Sequence, residues 1–302
     1  MSDKLRLHLS SAPFGGVNRK AVFDECVVAA EHYGFEFGIQ LHNSASKIEI
    51  ERCVELGAPL SAHAPLLTAY SLNLAQSETA LESRELGRTA SLMRRYNITD
   101  AVFHGFRMSD IPTPAFNREK SFTEAMMVGF RPELAARPGS TLNRDFTGEI
   151  EFAERFGILH KNLSLMRTNY PDLNFCIEND FPSYGMGNML SENVVSLEHP
   201  ICLDTGHLWI TSYLFNRDFH NETAIYAASG LVKMVHLHAS PFTMETPFEQ
   251  WADGHLPLRT PNQMDLPRFV RSCCDAGVRL FVLEIPSGSV EDIHEFAKMW
   301  EA

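Results

Sequence analysis

Short runs of branched and aromatic residues alternate along the chain with longer stretches in which apolar residues return every three or four positions. The short runs are Leu5–Ser10, Phe35–Leu41, Pro59–Ala64, Asp100–Gly105, Asn174–Asn179, Ile201–Asp204, Lys233–His238 and Leu280–Ile285. Most are rich in Val, Ile, Leu and Phe, the composition of parallel strands covered on both faces. The longer stretches predict helices over Arg19–His32, Lys47–Leu56, Glu78–Arg95, Glu149–Asn169, Glu192–Glu198, Ile210–Ala228, Leu266–Ala276 and Val290–Trp300. Gly34, Gly57, Gly230 and Gly277 each stand just ahead of the next strand. Glycine takes the left-handed position at a helix end at little cost, so these four read as helix stops.

Eight strand–helix units in 302 residues is the count of an α/β protein folded as a (β/α)8 TIM barrel. Length alone would suggest two domains, but the unbroken alternation predicts one barrel domain over residues 1–302. An open doubly wound sheet would need a nucleotide fingerprint. Gly185-Met-Gly187 lacks the third glycine and does not directly follow a strand.

The fourth and fifth strands lie farther apart than any other neighbours. The extra segment, 107–147, carries Pro112, Pro114, Pro132 and Pro138, and six basic residues (Arg107, Arg118, Lys120, Arg131, Arg137, Arg144) against five acidic (Asp110, Glu119, Glu124, Glu133, Asp145). Because it follows the C-terminal end of a strand, it is expected over the barrel mouth, as a lid-like insertion or as a peripheral arm.

Apolar residues make up 44% of the chain and charged residues 21%, which excludes a disordered polymer. The net charge of −12 disfavours a polyanionic partner such as nucleic acid, though it does not forbid a local basic groove. No stretch approaches the roughly 18 apolar residues of a membrane helix, and Met1–Ser10 has no secretory pattern. The six cysteines form no CxxC pair; they read as reduced thiols of a cytoplasmic enzyme.

The thirteen histidines are concentrated where chemistry is expected. His63 and His104 end the third and fourth strands. Glu178 ends the fifth, and Asp204-Thr-Gly-His207 the sixth. His236-Leu-His238 ends the seventh, with Asp253-Gly-His255 on its loop, and Glu284 ends the eighth. In a barrel these ends converge, bringing four carboxylates and five imidazoles together, with His238 beside them. Carboxylates crowded without cations repel one another. Imidazole with carboxylate is a ligand set for Zn²⁺ or Mn²⁺. A single strand-end histidine is more often a structural residue, whereas six successive strand ends point to divalent metal, one to three ions per chain. His32, His160, His199, His220 and His294 read as surface groups, and His8 and His42 as lesser candidates for substrate contact.

On these residues the chain resembles the xylose isomerase-like TIM-barrel superfamily, which holds sugar-phosphate isomerases/epimerases and the AP endonuclease family 2, or endonuclease IV, group. The pieces that carry the resemblance are His63-Ala-Pro65 with Ser71-Leu-Asn-Leu-Ala75, Glu178-Asn179, Asp204-Thr-Gly-His207, His236-Leu-His238, Asp253-Gly-His255-Leu-Pro257 and Glu284. The epimerase pattern implies one ion on Glu178, Asp204, His236 and Glu284, with Glu178 and Glu284 also as opposed catalytic acid/base groups. The endonuclease IV pattern implies three zinc ions on His63, His104, Glu178, Asp204, His207, His236, Asp253, His255 and Glu284. Where that branch has Asn-Asp after the histidine, this chain reads Leu237-His238-Ala239, and its DNA-penetrating loop has no counterpart near 40–46.

The first expectation is therefore a metal-dependent isomerase/epimerase that stabilises an enediolate of a carbohydrate-like small molecule. His238, Arg131 and Arg137 would then contact substrate. The alternative is a multinuclear zinc phosphoesterase, which uses the additional ligands. A homo-oligomer is compatible with either.

Overall fold

The computed structural model describes residues 4–115 and 120–301. Arg118 and Glu119 of the 107–147 segment lie outside the described residues. Among those described, eight parallel strands close a barrel in sequence order. They are β1 Arg6–Ser10, β2 Glu36–Leu41, β3 Leu60–His63, β4 Asp100–Phe103, β5 Asn174–Glu178, β6 Ile201–Asp204, β7 Val232–Leu237 and β8 Leu280–Leu283. β8 pairs with β1 through Arg6–Leu280 to Leu9–Leu283, which completes the ring. The strand predictions hold to within a residue or two. Gly34, Gly57, Gly230 and Gly277 all have positive φ, as helix-stopping glycines should.

One predicted helix is two. The expected 210–228 helix is instead Thr205–Leu214 followed by Phe219–Ser229, broken where Asn216 has φ 52° and Asp218 caps the second helix by accepting from Asn221 N at 2.8 Å. Residues 205–212 are all buried, so the first helix shows no polar face and hence no amphipathic period to detect.

The side-chain period of two explains how the barrel is filled. Outward residues such as Leu7, Leu9, Ile39 and Phe281 join the large core beneath the helices. Inward residues form columns. At the N-terminal ends Arg6 Nη1 holds Asp100 Oδ2 at 2.7 Å, and Asn174 Nδ2 donates to Asp100 Oδ1 at 3.0 Å. Two residues on, Val102, Cys176, Cys202, Met234 and Val282 form a separate apolar cluster with Leu280 from the layer below. One further step of two along these columns reaches His104, Glu178, Asp204, His236 and Glu284. The chemistry is thus the top layer of an otherwise packed barrel.

His8, considered above for substrate contact, sits inside this packing. It is buried and 2.9 Å from Ser61 Oγ, and burial first, then Arg6, lowers its pKa to about 3. Gly38 on β2 makes room for it: a Cβ there would lie 2.4 Å from His8 Nε2 and 2.7 Å from Pro59 O. Gly38→Ala is expected to lower stability by roughly 1–3 kcal/mol through overpacking. Urea unfolding measures this, and an unchanged midpoint would mean that the imidazole yields without cost.

The described residues of 107–147 contribute Arg107, Thr113, Phe122, Met126, Thr141 and Leu142 to a cavity at the C-terminal ends of the strands. The stretch contains a short helix, Phe122–Met127, and is tied by bridges Arg107–Met186 and Leu142–Ser183 to the connection that follows β5.

Candidate metal centre

Nine of the residues singled out in the sequence come together in overlapping groups. The Nε2 atoms of His63 and His104 lie 3.4 and 3.2 Å from Glu178 Oε2. His236 Nδ1 lies 2.8 Å from both Glu178 Oε1 and Glu284 Oε2, and 3.9 Å from Asp204 Oδ2. His207 Nε2 and His255 Nε2 each lie 2.8 Å from Asp253 Oδ2. Ligand atoms converge within 4.8 Å in the sets His63/His104/Glu178, Glu178/Asp204/His236/Glu284 and Asp204/His207/Asp253, and likewise in Glu178/Cys202/His236 and His238/His255/Glu284. Of the first three sets, Glu178 belongs to two and Asp204 to two, so they join the three.

The imidazoles are oriented from behind. His104 Nδ1 is 2.8 Å from Asp180 Oδ1, His207 Nδ1 is 2.7 Å from Asn179 O, and His255 Nδ1 is 3.0 Å from Glu284 O. An acceptor at one ring nitrogen fixes its proton there and leaves the other nitrogen as a lone-pair donor facing the cluster. Asp204 Oδ1 meanwhile accepts from His207 N at 2.7 Å, capping the helix it precedes. Asp180 went unnoticed in the sequence because it lies past the inward column of β5; its proximity to His104 was the only signal, and that is spatial.

Metal binding can be tested on the buried atoms themselves. Both oxygens of Glu178, both ring nitrogens of His236 and Oδ1 of Asp253 are buried without a hydrogen-bond partner. Glu178 Oε1 and His236 Nδ1 are close yet not aligned as donor and acceptor. Buried polar atoms normally find partners, so a group of them converging on one spot suits a cation. Burial pushes the Glu178 carboxyl upward, but His236 and His104 outweigh it and hold it well below its ordinary range. Burial likewise opposes a charged His207, yet Asp204 and Asp253 raise it well above the usual histidine value. The donor set of imidazole and carboxylate fits Zn²⁺ or Mn²⁺.

The remaining predicted contacts separate. His238 is part of the cluster, wholly buried, with Nε2 3.2 Å from Asp204 Oδ2, and its ring stacks on His255 at 4.5 Å. Arg131 and Arg137 do not line the cavity over the cluster. Arg131 pairs with Glu151 at 2.6 Å and Glu133 at 2.8 Å; Arg137 pairs with Glu249 at 3.4 Å and covers the Phe248 ring. Two residues that sequence reasoning passed over, Arg107 and Trp251, do line it, and so does His42.

That cavity measures about 690 Å³. Its floor includes His63, His104, Glu178, His207, Asp253, His255 and Glu284, while Asp204, His236 and His238 lie deeper. Thr113, Phe122, Met126, Thr141 and Leu142 from the 107–147 stretch form part of its wall, with Phe181, Tyr184 and Trp251.

No family model and no curated protein matches the sequence. Solved structures do match over nearly the whole chain. A D-tagatose 3-epimerase-like protein aligns over 98% of this chain and 95% of its own at 13% identity, with a TM-score of 0.59. Endonuclease IV from Thermus thermophilus aligns over 99% of each chain at 19% identity and a TM-score of 0.55. A xylose isomerase domain protein from Planctomyces limnophilus covers 98% of this chain and 95% of its own at 12% identity, with a TM-score of 0.54. The fold that this chain shares with them is therefore the (β/α)8 TIM barrel.

Proposed function

We propose that the protein is a multinuclear divalent-metal enzyme that hydrolyses a small phosphoester. The observation that carries this is the set of three overlapping ligand groups joined through Glu178 and Asp204. A single ion would need one group and would leave His63, His104 and the His207/Asp253/His255 trio without a purpose. When bound, such ions supply the positive charge and Lewis acidity that phosphoryl transfer to water requires. The chain's own residues hold and orient them. Glu178 bridges two groups from the end of β5, while Asp180 and the carbonyls of Asn179 and Glu284 fix the imidazoles. Phe122, Met126, Leu142 and Trp251 give the cavity an apolar part of its wall. A cavity of about 690 Å³ suits a molecule of a few dozen atoms, and with the charge of −12 this favours a small substrate over a DNA duplex.

One observation favours a second reading, the isomerase/epimerase. Glu178 and Glu284 approach His236 Nδ1 from different strands at equal distance, as two carboxylates moving a proton on opposite faces of a keto-sugar would. Elemental analysis of protein purified without chelator separates the two. About three ions per chain, with release of inorganic phosphate from a panel of small phosphoesters, is the expected result. About one ion per chain, no phosphate release and interconversion of keto-sugars would replace the first reading by the second.

A further inference from the structure

Arg107 follows β4 and is 3% exposed. Its guanidinium donates from Nε to Tyr184 O at 3.2 Å, from Nη1 to Thr113 Oγ1 and from Nη2 to Met126 O. Every one of these acceptors is neutral. Among the described residues no carboxylate pairs with it, and the nearby acids are engaged elsewhere: Asp110 with Arg155, Glu151 and Glu133 with Arg131. A buried charge without a counterion is costly and is retained where something repays the cost. Burial alone lowers the pKa of Arg107, to about 10, so the group stays cationic at neutral pH. Three of its five N–H donors are used, which leaves one on each terminal nitrogen.

Arg107 lines the same cavity as the metal cluster, in a mostly apolar wall that includes Phe122, Met126, Leu142, Tyr184 and Trp251. We propose that Arg107 is the anion-recognising residue of this cavity: it binds a carboxylate or phosphate on the substrate, away from the reacting group, with an apolar body between them. The substrate class is thus a small amphiphilic acid. This deepens the phosphoester reading in substrate class, but the anion site rests on the lone buried guanidinium and stands whichever reaction the cluster performs.

The three hydrogen bonds anchor Arg107 to the 113, 126 and 184 segments, so a purely structural role is the competing explanation. Calorimetric binding to metal-loaded protein distinguishes them, with phenyl phosphate, benzoate and neutral benzyl alcohol as probes. The wild type is expected to prefer at least one of the two anions over the alcohol, and which one names the anion. In Arg107→Gln, which keeps donors and loses charge, that preference should fall about tenfold or more, with metal content unchanged. Arg107→Lys should retain a preference but bind the anion about fivefold more weakly, because the planar fork is gone. A Gln variant that keeps the full preference overturns the proposal; it would show that the metal centre alone attracts the anion. Should the Gln variant not fold, the Lys variant decides, and wild-type affinity there overturns it equally. Because no turnover is read, a failed search for phosphate release leaves this result intact.

Discussion

Replacing Glu178 by glutamine is expected to abolish turnover and to strip metal from two of the three groups joined through Glu178 and Asp204, while the barrel stays folded. Glu178 is the residue through which the His63/His104 group and the Asp204/His236/Glu284 group meet. Glutamine keeps the shape but loses the charge, and it turns one of the two oxygens into a donor aimed at imidazole nitrogens. The fall in activity should exceed the roughly 10- to 100-fold typical of losing a hydrogen bond that merely supports a ligand. Metal-free Glu178→Gln should be less heat-stable than metal-free wild type, since His236 and His104 lose the carboxylate whose attraction outweighs its burial cost. Metal content by elemental analysis and thermal unfolding with and without chelator check both halves. Full metal occupancy in the variant would remove Glu178 from the centre.

Gly206→Ala is the second large effect expected, from a residue that touches no ligand set directly. Within Asp204-Thr-Gly-His207, a Cβ at 206 would lie 2.2 Å from His238 Cε1 and 2.9 Å from Asp253 Oδ1. His238 has little room to move. Its ring stacks on His255, and its backbone is clamped by Thr205, whose Oγ1 donates to His238 O at 3.0 Å and accepts from His238 N at 3.1 Å. The added methyl should therefore displace Asp253 and loosen the group that it forms with Asp204 and His207. About one ion per chain should be lost. Activity should fall roughly a hundredfold, as for a misplacement of about 1 Å in a catalytic group. Far-UV circular dichroism should not change, because Gly206 already has ordinary helical backbone. Wild-type metal content and rate would mean that the loop carrying Asp253 adjusts freely.

The parts of this protein legible in its sequence are those governed by short-range periodicity. Eight strands announce themselves by apolar runs, and the ligands at their ends share a column with the inward residues two and four positions earlier. Asp100-x-Val102-x-His104 and Asn174-x-Cys176-x-Glu178 are examples. The start of the helix at Thr205, and its separation from the one at Phe219, were missed for the opposite reason: residues 205–212 are buried on every side and show no period. Arg107 was passed over in favour of Arg131 and Arg137 because all three look alike in a proline-rich, charge-mixed segment. What sets Arg107 apart is the convergence of Thr113, Met126 and Tyr184 around it, and local sequence does not encode that meeting. His8 read as a strand-end polar group, but the column places it one layer below the site.

The ring of strands is also unevenly employed. Every ligand group found among the described residues draws on β3 to β8 and the loops that leave them, while β1 and β2 and their loops give the cavity Ser10, Ala12, His42, Asn43 and Ser44. One arc thus holds all the ligands and much of the wall, while the other adds only to the fit. Variation confined to the smaller arc would change which molecule is admitted while leaving the cation-holding arc untouched. For directed evolution, a library at Ser10, Ala12 and Ser44 has a built-in safeguard: its members can be screened for new substrates with the catalytic apparatus held constant.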